Sequence, residues 1–171
     1  METLHREALF QQAVADHLGI LLKTAHGFAA SAADREDLVQ EILITVWQAL
    51  PGYNGQCKLS TFLYRVAHNR SLNWQRTRTR YNRKLEDASQ HPHLVLGTND
   101  SNTHDPKLEW LYGVIRELPP LDRTLIMLLL DGLAHREIAE ITGLSENNVG
   151  VRLHRIKQAP STRKPEDTDE L

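Results

Sequence analysis

The 171-residue sequence has little cysteine, no long apolar run and no marked excess of charge of either sign. Its single cysteine, Cys57, cannot close an internal disulfide, and the first residues lack the basic and apolar regions of a signal peptide. We therefore expect a reducing, cytoplasmic setting. The longest apolar run, residues 125–130, is far shorter than the roughly 20 residues that cross a bilayer, so we expect no membrane insertion.

The sequence also lacks the short motifs of common catalytic and cofactor-binding sites. It has no HExxH or CxxC spacing, no glycine-rich phosphate-binding loop and no Gly-x-Ser-x-Gly turn. Nine histidines are present, but three of them, His91, His93 and His104, lie in a stretch rich in turn-forming residues. We expect a protein that is not an enzyme and that needs no metal and no cofactor.

The charges that nearly cancel over the whole chain are strongly segregated along it. Residues 1–41 contain seven acids and three bases, whereas residues 42–85 contain eight bases and no acid. An acidic surface is therefore followed by a basic one. A local concentration of Lys and Arg is the feature that attracts a nucleic-acid backbone.

Apolar residues recur at helical spacing along most of the chain, which predicts an all-α protein. The first helix is marked by Leu9, Ala13, Leu18, Leu21 and Leu22. The second, which Pro51 and Gly52 end, is marked by Leu38, Ile42, Leu43, Val46 and Trp47. A third is predicted to start at Ser60 or Thr61 and to bury Phe62, Leu63, Val66, Ala67, Leu72 and Trp74.

The predicted helices fall into two small domains. Residues 83–107 lose the helical period and collect turn and loop residues, so we expect a flexible linker there. These boundaries predict a first domain at 1–82, a second domain at 108–158 and a polar tail at 159–171. Within the second domain, helices are predicted at about 121–131, 134–142 and 145–157.

The second domain contains the pattern of a helix-turn-helix. Ala139 is small where two helices would cross, Gly143 allows the turn, and Ser145 is a suitable N-cap of the second helix. The outward face of that helix is predicted to present Asn147, Asn148, Val151, Arg152, His154 and Arg155. Such side chains can reach base edges or phosphates in the major groove. An ordinary helical hairpin with a polar outer face is the alternative.

Two parts of the sequence, in the same order, resemble a known family. Residues 34–50 and 53–70 resemble region 2 of bacterial RNA polymerase sigma factors of the extracytoplasmic-function (ECF) group in the sigma-70 family. Residues 118–123 and the helix-turn-helix resemble region 4 of the same proteins. The resemblance implies a factor that binds core RNA polymerase and directs promoter-specific initiation, with region 2 melting the minus-10 element and region 4 reading the minus-35 element.

The resemblance also implies partners. Asp37, Gln40 and Glu41 match the helix that docks on the β′ clamp helices of the polymerase, and they share one polar face at i, i+3 and i+4. Region 4 would meet the β flap. Promoter DNA and an anti-sigma factor are the other expected partners.

Minus-10 recognition is carried over in the same way. In the family, the loop that matches residues 53–60 captures a flipped base, and Asn69 matches a residue that helps to line the pocket. The expected minus-10 contacts are Asn54, Lys58, Arg65, Asn69, Arg70, Arg76, Arg78 and Arg80. Tyr64 and Trp74 could stack on bases, but we expect Trp74 to be a core residue.

The sequence departs from the family at three positions. Ala134 stands where a hydroxyl residue usually caps the first helix of the motif, and Gly150 and Val151 replace basic and hydroxyl residues of the recognition helix. We expect weakened or altered minus-35 readout rather than its loss. The alternative to the sigma-factor interpretation is a stand-alone dimeric helix-turn-helix regulator that binds a palindrome.

Overall fold

The structure, a computed structural model, describes residues 2–88 and 105–158, and every regular element in these two ranges is helical. The elements are α1 (Glu2–Phe28), α2 (Ala32–Ala49), a 3₁₀ turn (Leu50–Gly52), α3 (Leu59–Ala88), α4 (Pro106–Glu117), α5 (Pro120–Leu130), α6 (His135–Thr142) and α7 (Glu146–Gln158). The all-α prediction is confirmed. Most of the predicted linker and the tail lie outside the described residues.

Helix α1 is kinked at His17, where the backbone leaves the helical region (φ −132°, ψ 17°). The buried residues keep one helical period across the kink, because Ala13, Ile20, Leu21, Thr24 and Ala25 lie on the same face. Leu18 and Leu22 marked the apolar face of the predicted helix, and that prediction was wrong, because they lie beside the buried face and are 40% and 48% exposed. Single apolar side chains are common on the surface of a folded protein, so their presence does not by itself show burial.

Helices α1, α2 and α3 form the first module, which comprises residues 2–88. Helix α2 buries Leu38, Ile42 and Val46 completely, at the four-residue spacing that the sequence predicted. It begins where the Ser31 hydroxyl accepts a hydrogen bond from the Asp34 backbone N–H (3.1 Å). The acidic beginning of α2 lies beside the basic helix α3, where Arg78 pairs with Asp34.

Helix α3 is longer at both ends than the sequence predicted. It begins at Leu59, before Ser60, and it ends at Ala88, six residues beyond the boundary expected at residue 82. Neither Pro nor Gly occurs between its ends, so nothing in the backbone stops the helix there. The last turns therefore carry their Arg and Lys residues on a helix.

Helices α4 to α7 form the second module, which comprises residues 105–158. Helix α7 packs on α5 and α6. Gly143 ends α6 in the left-handed region (φ 75°), and the Ser145 hydroxyl accepts from the Asn148 backbone N–H (3.2 Å), so the predicted turn and cap are confirmed. The missing hydroxyl at Ala134 is partly replaced, because the Glu137 carboxylate accepts from the Ala134 backbone N–H (2.9 Å).

The two modules pack against each other. Helices α4 and α5 contact α1, and α5 and α6 contact α3. Gly27 in α1 has no side chain at the point where Met127 of α5 lies against it, and a Cβ there would overlap the thioether. This contact brings the backbones of the two modules close together.

His68 of α3 is buried beside this contact, between the rings of Phe28 and Tyr64 (centroid distances 6.1 and 6.3 Å). Burial lowers the pKa of His68 to about 4, although the nearby Asp131 carboxylate acts in the opposite direction. The imidazole is therefore neutral in the folded protein at neutral pH.

This burial predicts a loss of stability in mild acid. Between pH 7 and pH 5 the unfolded chain binds a proton at this position and the folded chain does not, so the free energy of unfolding should fall by about 2 kcal/mol as pH is lowered. Urea denaturation at both pH values measures it. A His68→Leu variant of similar volume should show a correspondingly smaller fall. An equal fall in both proteins would contradict the assignment to His68.

Candidate polymerase and promoter interfaces

The predicted polymerase-docking residues lie on the outer face of α2. Asp37 and Gln40 are exposed, on the side of the helix opposite its buried apolar stripe. Glu41 is half-buried and accepts a hydrogen bond from the Arg70 guanidinium of α3 (2.5 Å). The structure thus brings the three residues to one side, with two open to a partner and one already paired.

The predicted base-capture loop is an ordered turn rather than an open strand. Asn54 accepts from the Gln56 backbone N–H through its side-chain oxygen (3.2 Å), and Gly55 has a positive φ of 75°. The Tyr53 hydroxyl donates to the Cys57 carbonyl (2.9 Å) and so closes the loop. Cys57 contributes its backbone to this closure.

Only part of the basic surface of α3 is open to solvent. Arg76 and Arg80 are exposed on its projecting turns, and Asn69 is exposed nearer its beginning. Arg78 is exposed as well, but it pairs with Asp34 of α2 (2.7 Å) and lies over the half-buried Trp74 ring, 5.1 Å from its centroid. Trp74 packs against the core, as predicted.

Two of the predicted minus-10 residues face the second module. Arg65 donates to the backbone carbonyl of Glu140 in α6 (3.0 Å), and Lys58 lies 3.8 Å from the Glu137 carboxylate. An open cleft of about 650 Å³ separates the loop from α6, with residues 55–58 on one wall and Arg136 on the other. Helix α6 therefore faces the loop across an open cleft.

Asp131 joins the two modules at the end of α5. Its carboxylate accepts from the Tyr64 hydroxyl of α3 (2.8 Å) and from the Lys23 ammonium of α1. Tyr64 is therefore a core residue and not a base-stacking platform. Burial, followed by this hydrogen bond, raises the pKa of Tyr64, so the hydroxyl keeps its proton.

Glu109 forms a second connection, between α4 and α1. It accepts from His26 Nε2 (2.9 Å), from Arg116 (2.7 Å) and from Arg35 (3.3 Å). Burial by itself raises the pKa of Glu109, but the hydrogen bonds from Arg116 and His26 outweigh it and lower the pKa to about 2. The carboxylate is therefore held ionised between the modules.

Arg123 of α5 lies at the centre of the contact and is only 4% exposed. It donates to the Gln75 side chain of α3 (3.1 Å) and to the Leu118 carbonyl (3.1 Å), and its guanidinium lies 5.0 Å from the Phe28 ring centroid. Nothing in the sequence indicated the roles of Asp131, Glu109 and Arg123. Their partners in the other module lie 48 to 108 residues away in the chain, so no local pattern connects them.

Removing the two acidic contacts is expected to separate the modules. In a Glu109→Gln, Asp131→Asn variant the cations lose their charged partners, so X-ray scattering should show a radius of gyration above the roughly 16 Å of a compact chain of this length. The ionised Glu109 carboxylate stabilises the contact between the modules fully above pH 4.5, and this stabilisation is lost as pH falls toward 2. Glu146→Gln, at an exposed acid of α7, is the control. Unchanged scattering in the double variant would contradict the prediction.

The predicted recognition helix α7 is open to solvent. Asn147, Asn148, His154 and Arg155 are exposed, and Val149 and Leu153 pack inward on the opposite face. Arg152 was predicted to face DNA but is half-buried and donates to the Asp122 carboxylate of α5 (2.7 Å). The other five predicted residues lie within one surface.

Both modules match models of one protein family. The match to Sigma-70 region 2 covers residues 13–81, and the match to Sigma-70, region 4 covers residues 108–159. The chain belongs to the sigma-70 family. It is 26% identical over 156 residues to RNA polymerase sigma factor YlaC of Bacillus subtilis, a span of 88% of this chain and 87% of that protein. It is 29% identical over 141 residues to the ECF RNA polymerase sigma-E factor of Haemophilus influenzae (75% and 73%).

Two solved structures share the fold. The sigma factor RpoE of Bartonella quintana, solved in complex with the anti-sigma factor NepR, has a TM-score of 0.68 and 20% identity, covering 87% of this chain and 92% of its own. CnrH, solved with the cytosolic domain of CnrY, has a TM-score of 0.63 and 22% identity, covering 89% and 84%. The resemblance found in the sequence to ECF sigma factors is confirmed.

The chain is therefore a sigma factor that binds core RNA polymerase and directs transcription to promoters. Its family consists of initiation factors, which act by binding. Among the helices of residues 2–88 and 105–158, none is long and apolar enough to span a membrane. The same ranges hold no cluster of His, Cys, Asp and Glu that could bind a metal ion.

Proposed function

We propose that this sigma factor divides its work between the two modules at the residues described above. The first module docks on the β′ clamp helices of core polymerase through Asp37, Gln40 and Glu41, and opens the minus-10 element. The second module meets the β flap and reads the minus-35 element through α7. The observation that carries the proposal is the exposed polar face of α2 beside the exposed Arg76 and Arg80 of α3.

The arrangement of α2 and α3 suits strand separation. A polymerase bound to α2 would hold the projecting basic turns of α3 in a fixed position, where Arg76 and Arg80 can neutralise phosphates. The exposed Asn69 and the Asn54 turn would then receive an unstacked base. Unstacking costs a few kcal/mol per base, which a hydrogen-bonding pocket and a basic groove can offset.

The packing of the modules supports a requirement for core polymerase. The minus-10 and minus-35 elements lie nearly two duplex turns apart, roughly 60–70 Å, which exceeds the reach of two modules in contact. Helix α6 also lies over the loop of residues 53–58. Promoter binding therefore requires the modules to separate, and we propose that docking on polymerase separates them.

The partners of the chain indicate how it is regulated and where it acts. One solved neighbour is a sigma factor in complex with an anti-sigma factor, and the other, CnrH, is in complex with the cytosolic domain of CnrY. We propose that an anti-sigma factor also binds this chain. Because its partners are core polymerase and chromosomal DNA, we place its action in the cytoplasm, and it catalyses no reaction itself.

Reconstitution with core RNA polymerase tests the proposal. The full chain should co-elute with core enzyme on a sizing column at moderate salt, and permanganate should then detect unpaired thymines in bound promoter duplexes. Neither core enzyme nor the chain alone should produce this signal. A chain that fails to bind core enzyme, but binds a palindrome tightly as a homodimer, would overturn the proposal in favour of a stand-alone regulator.

A further inference from the structure

The middle of the exposed face of α7 is apolar. Val151 is 50% exposed, although Val149 and Leu153 on the opposite face are completely buried. Gly150 contributes no side chain beside it, and Arg152 is turned back to Asp122. A branched apolar side chain is thus held out to solvent between Asn147 and Arg155, one helical turn from each.

Val151 lies on the surface of α7 that we propose faces DNA. Glu146, Asn147, His154 and Arg155 surround it along a shallow groove of about 490 Å³, in which one acid stands beside polar and basic groups. The His135 ring borders the same groove, 3.6 Å from the place that a Cβ on Gly150 would occupy. No other helix of the described chain covers Val151, since α7 packs only on α5 and α6 through its opposite face.

The chemistry of the major groove leaves one apolar group for Val151 to meet. Each base pair presents hydrogen-bond donors and acceptors there, and only thymine adds a methyl group at C5. We propose that Val151 is a specificity-determining residue that contacts a thymine methyl in the minus-35 element. This inference rests on the proposed role of α7 as the recognition helix.

Asn147 makes the proposal more specific. It lies four residues before Val151 on the same face, about 6 Å along the helix axis, which corresponds to roughly two base-pair steps. Asn pairs with adenine through N6 and N7 in the major groove. The two residues together select two A·T pairs about two positions apart, one through the adenine edge and the other through the thymine methyl.

A substitution that removes one methyl group from DNA tests this contact. Holoenzyme reconstituted from the full chain and core polymerase selects its sites from duplexes with a randomised upstream region. Each thymine of the selected minus-35 sequence is then replaced singly by deoxyuridine. At one position, the wild-type holoenzyme should lose about fourfold in affinity, the effect of one buried methyl group, and a Val151→Ala holoenzyme, which lacks the two γ-methyl groups, should show a clearly smaller loss.

Asn147→Ala is the matched control, because it should weaken adenine preference and keep the fourfold effect of deoxyuridine at the thymine. Equal effects of deoxyuridine on wild type and Val151→Ala would overturn the assignment to Val151. So would a Val151→Ala protein that loses affinity for core polymerase instead, since Val151 would then face a protein. If neither Asn147→Ala nor Arg155→Ala changes the selected upstream sequence, the proposed role of α7 itself fails.

Discussion

An Asp37→Arg, Gln40→Ala variant is expected to bind core RNA polymerase about a hundredfold more weakly than the wild type. Both side chains are exposed on the same face of α2, so the change replaces a negative group by a positive one at the proposed interface without disturbing the module. Co-elution with core enzyme, followed by titration with a labelled chain, measures the loss. Association should also slow most at low salt, where charge steering is strongest.

The structure argues for leaving Glu41 out of this variant. Glu41 pairs with Arg70, so a Glu41→Arg change would place two cations together and confuse weaker folding with weaker binding. Asp16→Arg, at an exposed position of α1, makes the same change of charge elsewhere and serves as the control. If both variants bind core enzyme like the wild type, α2 is not the docking helix.

An Arg76→Glu, Arg80→Glu variant is expected to reduce promoter opening by a hundredfold or more and to bind core RNA polymerase as tightly as the wild type. Both residues are exposed on the projecting turns of α3, where two charges would change sign and the net charge along the proposed DNA path would fall by four units. Permanganate reactivity of promoter thymines measures opening, and co-elution measures core binding. Loss of opening with normal core binding separates the DNA surface from the docking surface.

The matched control for this experiment keeps the charge. An Arg76→Lys, Arg80→Lys variant should retain most of the opening, because a single-stranded backbone is bound chiefly through charge. Arg78→Glu should be studied apart, since Arg78 pairs with Asp34 and covers Trp74, and its loss would destabilise the first module. Wild-type opening by the double glutamate variant would remove α3 from the proposed DNA path.

The helices were largely predictable from the sequence because their signals are local. Leu38, Ile42 and Val46 repeat at helical spacing, and Gly143 and Ser145 have the backbone freedom and hydroxyl that a helix-turn-helix requires. The kink at His17 was not predictable in this way, since no Pro or Gly stands at that residue to mark it. The burial of Leu18 and Leu22 was misjudged for another reason: both are apolar, yet they lie beside the buried face and not on it.

The sequence predicted which residues make up the basic surface, but it predicted only partly which of them are free to bind DNA. The acid-free stretch of residues 42–85 pointed to a basic surface, and that surface exists at Arg76 and Arg80. Arg65, Arg70 and Arg78 carry the same charge in the sequence, yet each is held by a partner in another helix. Spacing along one helix does not show which cation a neighbouring helix will engage.

Local patterns of residues were enough to predict the helices, the charge segregation and the resemblance to the sigma-70 family, because each depends on residues close together in the chain. The packing of the modules through Asp131, Glu109 and Arg123, and the exposure of the predicted DNA contacts, became known from the folded chain alone. A side chain's hydrogen bonds and burial depend on the helices packed around it, and those helices are joined by contacts between residues far apart in sequence.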